Sequence, residues 1–356
     1  MAWKPKEKAL TAEEAVELAK KELEPFWIGL SPLIAAVRTE NTVSLHPLSN
    51  DIATKVWLIL FLDPTEYSGE TCLHFAREWY RRYQSLGIHI LCVYRPPYQF
   101  LRSQDLVTLF NRKQQITFPV AIDAEGLLSV AFGAEVLPKV VLLHQGKVSF
   151  ESSGVNWADD TEKKIQDFLR ISDPGLPLLR SFRLSKQSVQ DVEQIEFGRN
   201  ASAKVLAKFP APGFNPATTL EPTEFKSNRR PDVMKLGEFF ISGKWLQEDE
   251  RVVTHDPSAV LGFRSSASRV SLIAQSLAKS TEMAKVVFEV NGSTVYEAIA
   301  GEALQMDEDG HSLVKVEGGN IYHALVNLPP EDREITIRFP HADRVPVGIY
   351  GIRLGD

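Results

Sequence analysis

The sequence predicts an α/β unit followed by an all-β unit, and three observations carry that prediction. A strand–helix–strand pattern stands in the first half, helical periodicity nearly vanishes from Glu196 onward, and short β-type runs then recur between turn clusters. The stretch that fixes the first half is Lys55 to Tyr94. Val56 to Leu62 is almost wholly apolar, as a strand covered on both faces of a sheet should be. Asp63, Pro64, Ser68 and Gly69 break that run. From Leu73 the apolar and aromatic residues (Phe75, Ala76, Trp79, Tyr80, Tyr83, Leu86) fall at helical spacing, and Gly87 suits a left-handed cap. Ile88 to Val93 is the next buried run. Such a βαβ unit favours parallel strands and puts its loop at the strand's carboxyl end, where α/β folds keep their sites. Cys72, beside the expected helix start, carries that loop's reactive atom.

Composition narrows the class. A chain of 356 residues, 44% hydrophobic and 24% charged, is long enough for two ordinary globular domains. Its net charge of −6 leaves no electrostatic footprint for nucleic acid and disfavours an anionic membrane surface. Two cysteines make no disulfide framework, which points to a reducing compartment. The N-terminal stretch lacks the apolar core, about 7–15 residues long, of a signal peptide. No run approaches the ~20 apolar residues of a membrane span, so the expected location is the cytoplasm.

Taken in order, Thr11 to Glu14 reads as a capping box opening a helix, and Pro32 to Arg38 with Thr42 to Leu45 as a short hairpin. After Tyr94, Arg95-Pro96-Pro97-Tyr98 is a rigid loop. Ser103 to Gln115 is a helix with Leu106, Leu109 and Phe110 inward; Phe118 to Ile122 is a strand; Asp123 to Gly126 is a turn. Leu127 to Phe132 is a short helix or turn. Leu137-Pro138 precedes a strand from Lys139 to His144, a Gln145-Gly146 turn and a strand from Lys147 to Glu151, with a last helix from Asp159 to Leu169. The expected domains are residues 1–172, a linker at 173–195 that docks on its neighbours, and an antiparallel sandwich at 196–356. Expected strands in the last part include Glu238 to Ile241, Val260 to Ser265, Lys285 to Val290, Thr294 to Ala298 and Gly348 to Leu354. Asn291-Gly292 is its strongest hairpin signal.

The element order, with a proline at the head of the penultimate strand, resembles the thioredoxin fold, in its TlpA/peroxiredoxin branch. Leu137-Pro138 sits where that superfamily has its cis-proline. The helix Trp79-Tyr80-Arg81-Arg82-Tyr83, then Gly87-Ile88, a buried strand and Arg95-Pro96-Pro97-Tyr98 are similar to the module of DipZ-type thiol–disulfide interchange proteins. Gly243-Lys244-Trp245, Gly262-Phe263-Arg264, Ile321 to Leu325 and Ile335 to Phe339 resemble the same proteins' C-terminal domain, a jelly roll like carbohydrate-binding modules. The resemblance implies an α/β thioredoxin-like domain followed by an all-β jelly-roll-like sandwich.

Thioredoxin-type exchange needs two cysteines in C-x-x-C, one to attack and one to resolve. Here the loop reads Glu66-Tyr67-Ser68-Gly69-Glu70-Thr71-Cys72. An ungapped match puts the family's pair near Glu66 and Gly69; a three-residue gap puts Gly69 first and Cys72 second. Neither gives a pair, and Cys92 reads as an apolar filler inside a strand. The expected function is therefore a thioredoxin-like protein that has lost dithiol exchange and binds a protein partner or small ligand at a cleft lined by Tyr67, Gly69, Cys72, Leu137, Pro138 and Lys139. A second reading makes Cys72 the catalytic thiol of a one-cysteine oxidoreductase or peroxidase, with Lys139 as the nearby cation and an external thiol as resolver. A third makes the sandwich a carbohydrate binder, with Trp245 the first candidate for an exposed aromatic face. No cofactor is implied. The scattered histidines give no metal-ligand spacing, and Asp307-Glu308-Asp309-Gly310 reads as a solvated turn that lacks a calcium loop's later ligands.

Overall fold

The computed structural model describes residues 42–43, 56–144, 147–154, 157–176, 179–182, 191–198, 223–227, 233–278 and 282–355. The helix expected from Thr11, most of the hairpin expected from Pro32 to Leu45, Lys55 and the Gln145-Gly146 turn lie outside these residues. The chain divides into two compact units, Met1–Pro97 with Leu101–Ser188, and Tyr98–Phe100 with Val189–Asp356.

The first unit is built on the strand β2 (Val56–Leu62), every residue of which is buried. It is followed by helix α1 (Tyr67–Tyr83), strand β3 (Ile88–Tyr94), helix α2 (Gln104–Lys113), strand β4 (Val120–Ile122) and the short helix α3 (Leu127–Ala131). Strands β5 (Lys139–His144) and β6 (Lys147–Ser153) and helix α4 (Trp157–Ser172) complete it. With the two-residue strand β1 (Thr42–Val43), the sheet order is β1-β4-β3-β2-β5-β6. β2, β3 and β4 run parallel, and β5 and β6 close the sheet antiparallel. This is a thioredoxin-like arrangement, and the Leu137–Pro138 bond that leads into β5 is cis. Trp57, Ile59 and Phe61 alternate with Leu58 and Leu60 along β2. The odd-numbered set packs with Leu91, Val93, Val141 and α3's Leu128 in one core cluster.

Two local expectations are corrected. On α2 the buried residues are Val107, Phe110 and Asn111, while Leu109 is 52% exposed. The inward stripe is turned because the Tyr94 hydroxyl donates to the Asn111 side chain, fixing that residue toward the sheet. The larger correction is the start of α1, taken up below.

The second unit is all β. Its strands are β7 (Asp191–Glu196), β8 (Thr223–Ser227), β9 (Phe239–Gln247), β10 (Val252–Thr254), β11 (Val260–Ser265), β12 (Arg269–Ser276), β13 (Ala284–Val290), β14 (Ser293–Thr294), β15 (Leu304–Met306), β16 (Ser312–Val316), β17 (Asn320–Leu325), β18 (Arg333–Arg338) and β19 (Val347–Gly355). All pairings among them are antiparallel and join them into one 13-stranded sheet. β9 makes the sheet turn on itself. Its first half pairs with β11, its second half with β8 and β10, and the change falls at Gly243. Gly243 has φ +98°, and a Cβ there would lie 2.7 Å from the Ala259 backbone, so only glycine fits the bend. One apolar core lies inside, including Phe239, Leu261, Leu272, Phe288, Ile337 and Ile352.

Asn291-Gly292 forms the expected two-residue turn, with φ of 51° and 74°, the pair of positive values that a type I′ hairpin demands. In contrast, Thr294 to Ala298 is not one strand: β14 ends at Thr294 and a 3-10 turn begins at Glu297. Residues 191–195, expected in the linker, belong to β7, which pairs with β19. That strand is too short and too polar to announce itself, and the Gly351–Gly355 end of β19 recruits it.

Candidate functional site

The candidate site of the first unit is the passage from β2 into α1, where α/β folds place their chemistry. At the end of β2 the Asp63 carboxylate accepts from the Thr65 amide at 2.8 Å and the Thr65 hydroxyl at 2.6 Å, forming a closed turn. The Glu66 amide then donates to the Asp63 carbonyl, and α1 starts at Tyr67 with Glu66 as its cap. The loop expected to reach Gly69, with Cys72 beside the helix start, is shorter than that. The helix instead begins five residues before Cys72, so Cys72 lies in its second turn, beyond the free amides that would favour a thiolate. Gly69 makes the early start possible. A Cβ at that position would lie 1.8 Å from the Asp63 carbonyl oxygen, so the helix can lie against the end of β2 only where the side chain is absent.

This geometry decides the environment of the sulfur. Cys72 is 0% exposed and Tyr67 is also buried. Burial pushes the Cys72 thiol far above its ordinary range. Cys92 on β3 is equally buried and its thiol is likewise pushed up, first by burial and then by the neighbouring Cys72. Both are free thiols. The Tyr94 hydroxyl, which lies near both cysteines, is raised by the same burial.

The other residues expected around a cleft take structural posts. Pro138 is buried, and Leu137 is half-buried against the cluster formed by Trp57, Phe61 and Phe132. Lys139, expected as the cation near the thiol, has its ammonium engaged elsewhere. Its ammonium donates to the carbonyls of Phe132 at 2.7 Å and Gly133 at 3.3 Å and pairs with Glu151 at 2.9 Å, tying down the end of α3. What is open to solvent here is the approach to the cis-proline, where Val136 is 61% exposed.

In the second unit Trp245 is not an exposed aromatic face. It is 2% exposed, its indole N–H donates to the Ser242 carbonyl at 2.9 Å, and its ring stands edge-on to Phe339 at 5.4 Å. The alternation of β9 sends Phe239, Ile241 and Trp245 into the core, which is why the aromatic is a structural anchor. Beside it lies a cleft of about 970 Å³ that sequence reasoning missed, lined by Glu224, Ser242, Lys244, His255, Asp256 and Ser258 among others. These polar residues come from three separate strands and loops, so no local spacing could have grouped them. The Asp256 carboxylate there accepts from the Ser258 hydroxyl at 2.6 Å and the Lys244 amide at 2.9 Å, and these bonds hold its pKa down. Asp307, Asp309 and His311 bring possible ligand atoms within 4.8 Å of one another, but the Asp307 carboxylate is occupied by the His311 amide at 2.7 Å, as in an ordinary turn.

No protein family and no curated protein matches the chain. Solved structures resemble it over about a third of its length. A thioredoxin-like protein in its oxidized form is 18% identical with a TM-score of 0.34, covering 37% of this chain and 90% of that one. A protein of Neisseria meningitidis described as a thioredoxin is 24% identical with a TM-score of 0.32, covering 37% of this chain and 88% of that one. A secreted disulfide oxidoreductase of Mycobacterium tuberculosis is 11% identical with a TM-score of 0.30, covering 37% of this chain and 98% of that one. Among the described residues no helix is long and apolar enough to cross a membrane.

Proposed function

We propose that this chain is a thioredoxin-fold protein that has given up thiol–disulfide exchange and acts by binding, with a protein partner or small ligand meeting the first unit at the approach to the cis-proline. The observation that carries this reading is the burial of Cys72 together with the side-chain-free position at Gly69. Exchange requires a thiolate that can reach a second sulfur, and a fully buried neutral thiol supplies neither the charge nor the access. The same burial weighs against a one-cysteine peroxidase. Exposure of the purified chain to hydrogen peroxide with a sulfenic-acid probe tests it: no adduct on Cys72 is expected, and a stoichiometric adduct would transfer the assignment to the peroxidase class.

The cleft beside Trp245 favours a second role, for the second unit. Glu224, Lys244, His255 and Ser258 offer both donors and acceptors to a polar ligand such as a sugar, in a jelly-roll-like domain whose Trp245 supports the wall rather than stacking on the ligand. Titration of the full chain against a glycan panel tests this role. Binding lost in Lys244→Ala supports it, and no binding across the panel removes it.

A further inference from the structure

One surface of the first unit already holds a peptide. On helix α1, Phe75, Glu78, Trp79 and Arg82 share one side, spaced three and four apart, with Phe75 and Trp79 buried. Helix α4 contributes Trp157, Glu162 and Gln166, and Trp157 stands edge-on to both Phe75 at 5.4 Å and Trp79 at 5.7 Å. Into this groove runs the segment Leu179 to Phe182, within the stretch expected to be a linker.

Almost all of its polar recognition is of the main chain. Gln166 donates to the Leu179 carbonyl at 2.9 Å, Arg82 donates to the Arg180 carbonyl at 2.8 Å, and the Phe182 amide donates to the Glu162 carboxylate at 2.6 Å. Glu162 is 1% exposed, yet its other oxygen accepts from the Tyr83 hydroxyl at 2.7 Å and lies 3.5 Å from Arg82. A buried carboxylate aimed at an incoming amide costs stability unless the amide is present. The one side chain that the groove reads is Phe182. Its ring meets Phe75 edge-on at 5.5 Å and the His74 ring at 5.7 Å, and the Arg82 guanidinium sits over it at 5.2 Å. Two donors and one acceptor of the groove thus meet the Leu179 and Arg180 carbonyls and the Phe182 amide of one segment, and aromatic rings and a guanidinium meet its phenylalanine.

We infer that the groove between α1 and α4 is a recognition site for a peptide segment that carries a phenylalanine, and that Leu179 to Phe182 is its resident ligand, bound in cis. Because the strap belongs to the same chain, its binding is intramolecular, and this attachment favours it over a free peptide of equal intrinsic affinity. A partner carrying a similar segment enters only when the strap is weakened or pulled away.

The test uses the full chain and a fluorescent synthetic peptide with the sequence of residues 175–182. Phe182→Ala removes the strap's ring and leaves the groove intact. Peptide binding by this variant is expected to be about tenfold tighter than by the wild type, the size of one lost aromatic and cation–π contact. Arg180→Ala, whose contribution is a carbonyl, is expected to bind the peptide as the wild type does. A peptide with alanine in place of its phenylalanine is expected to bind either chain about tenfold more weakly than the phenylalanine peptide does, which separates groove occupancy from non-specific adhesion to a loosened protein. Equal binding by wild type and Phe182→Ala, or indifference to the peptide's phenylalanine, overturns the proposal.

Discussion

At residue 69 the missing side chain says as much about function as the sulfur at 72. A thioredoxin-type pair could be restored on paper by Gly69→Cys, which would read Cys-Glu-Thr-Cys. Its Cβ would fall 1.8 Å from the Asp63 carbonyl oxygen, so the helix must shift off the end of β2. We expect this variant to lose about 1–3 kcal/mol or more in a urea titration and to gain no insulin-reducing activity. Cys72 makes a second prediction, on alkaline stability. Its folded-state pKa is raised above the ordinary value of 9.0, so the folded state holds this proton more tightly than the unfolded chain does. The resulting stability is complete below about pH 9 and declines as the unfolded thiol begins to ionise above it. In urea titrations between pH 7 and pH 10.5 the midpoint should fall, and Cys72→Ala should make that fall shallower.

The elements of this protein were legible in proportion to how local their causes are. β2 and β3 were plain because their apolar runs need no partner to be recognised, and Asn291-Gly292 was plain because the turn chemistry is written in two residues. The start of α1 was misread because Pro64, Ser68 and Gly69 are all loop formers taken singly. Only the long-range approach of Gly69 to the Asp63 carbonyl shows that the glycine serves close packing. Trp245 was ambiguous for a like reason: a sequence shows an aromatic, and only the alternation set by neighbouring strands shows which way it faces. The cleft beside it and the strap at Phe182 depend on tertiary proximity and left no local signal. The bend in β9 gives the element-scale prediction. Gly243→Ala forces a side chain into a positive-φ position already touching Ala259, and should cost about 1–3 kcal/mol in the same urea assay. By comparison, alanine at the exposed Tyr296 should change stability by no more than about 0.5 kcal/mol.

For the whole molecule, a cut by sequence alone after residue 172 would leave Glu162 without the Phe182 amide and would strip Phe182 from Phe75. Of two fragments of the first unit, one ending at residue 172 and one ending at 188, the longer should melt several degrees higher, as the loss of one buried hydrogen bond and one aromatic contact implies. Equal melting temperatures would place the strap outside the unit's stability. The thioredoxin-like frame itself survives the absence of a C-x-x-C motif, because its sheet is held by apolar burial along β2, β3 and β5 and not by any sulfur. Fold alone does not assign the chemistry, and the reactivity of the Cys72 thiol is what tests the proposed loss of exchange.

The most direct measurement of that thiol is the alkylation rate of the native chain, read by mass spectrometry with and without denaturant at pH 7. If Cys72 and Cys92 are the inert core residues that their burial implies, neither is modified on the timescale that labels both in the unfolded chain. Rapid native labelling of Cys72, or a Cys72–Cys92 disulfide that forms and reopens under a dithiol reductant, would contradict the account.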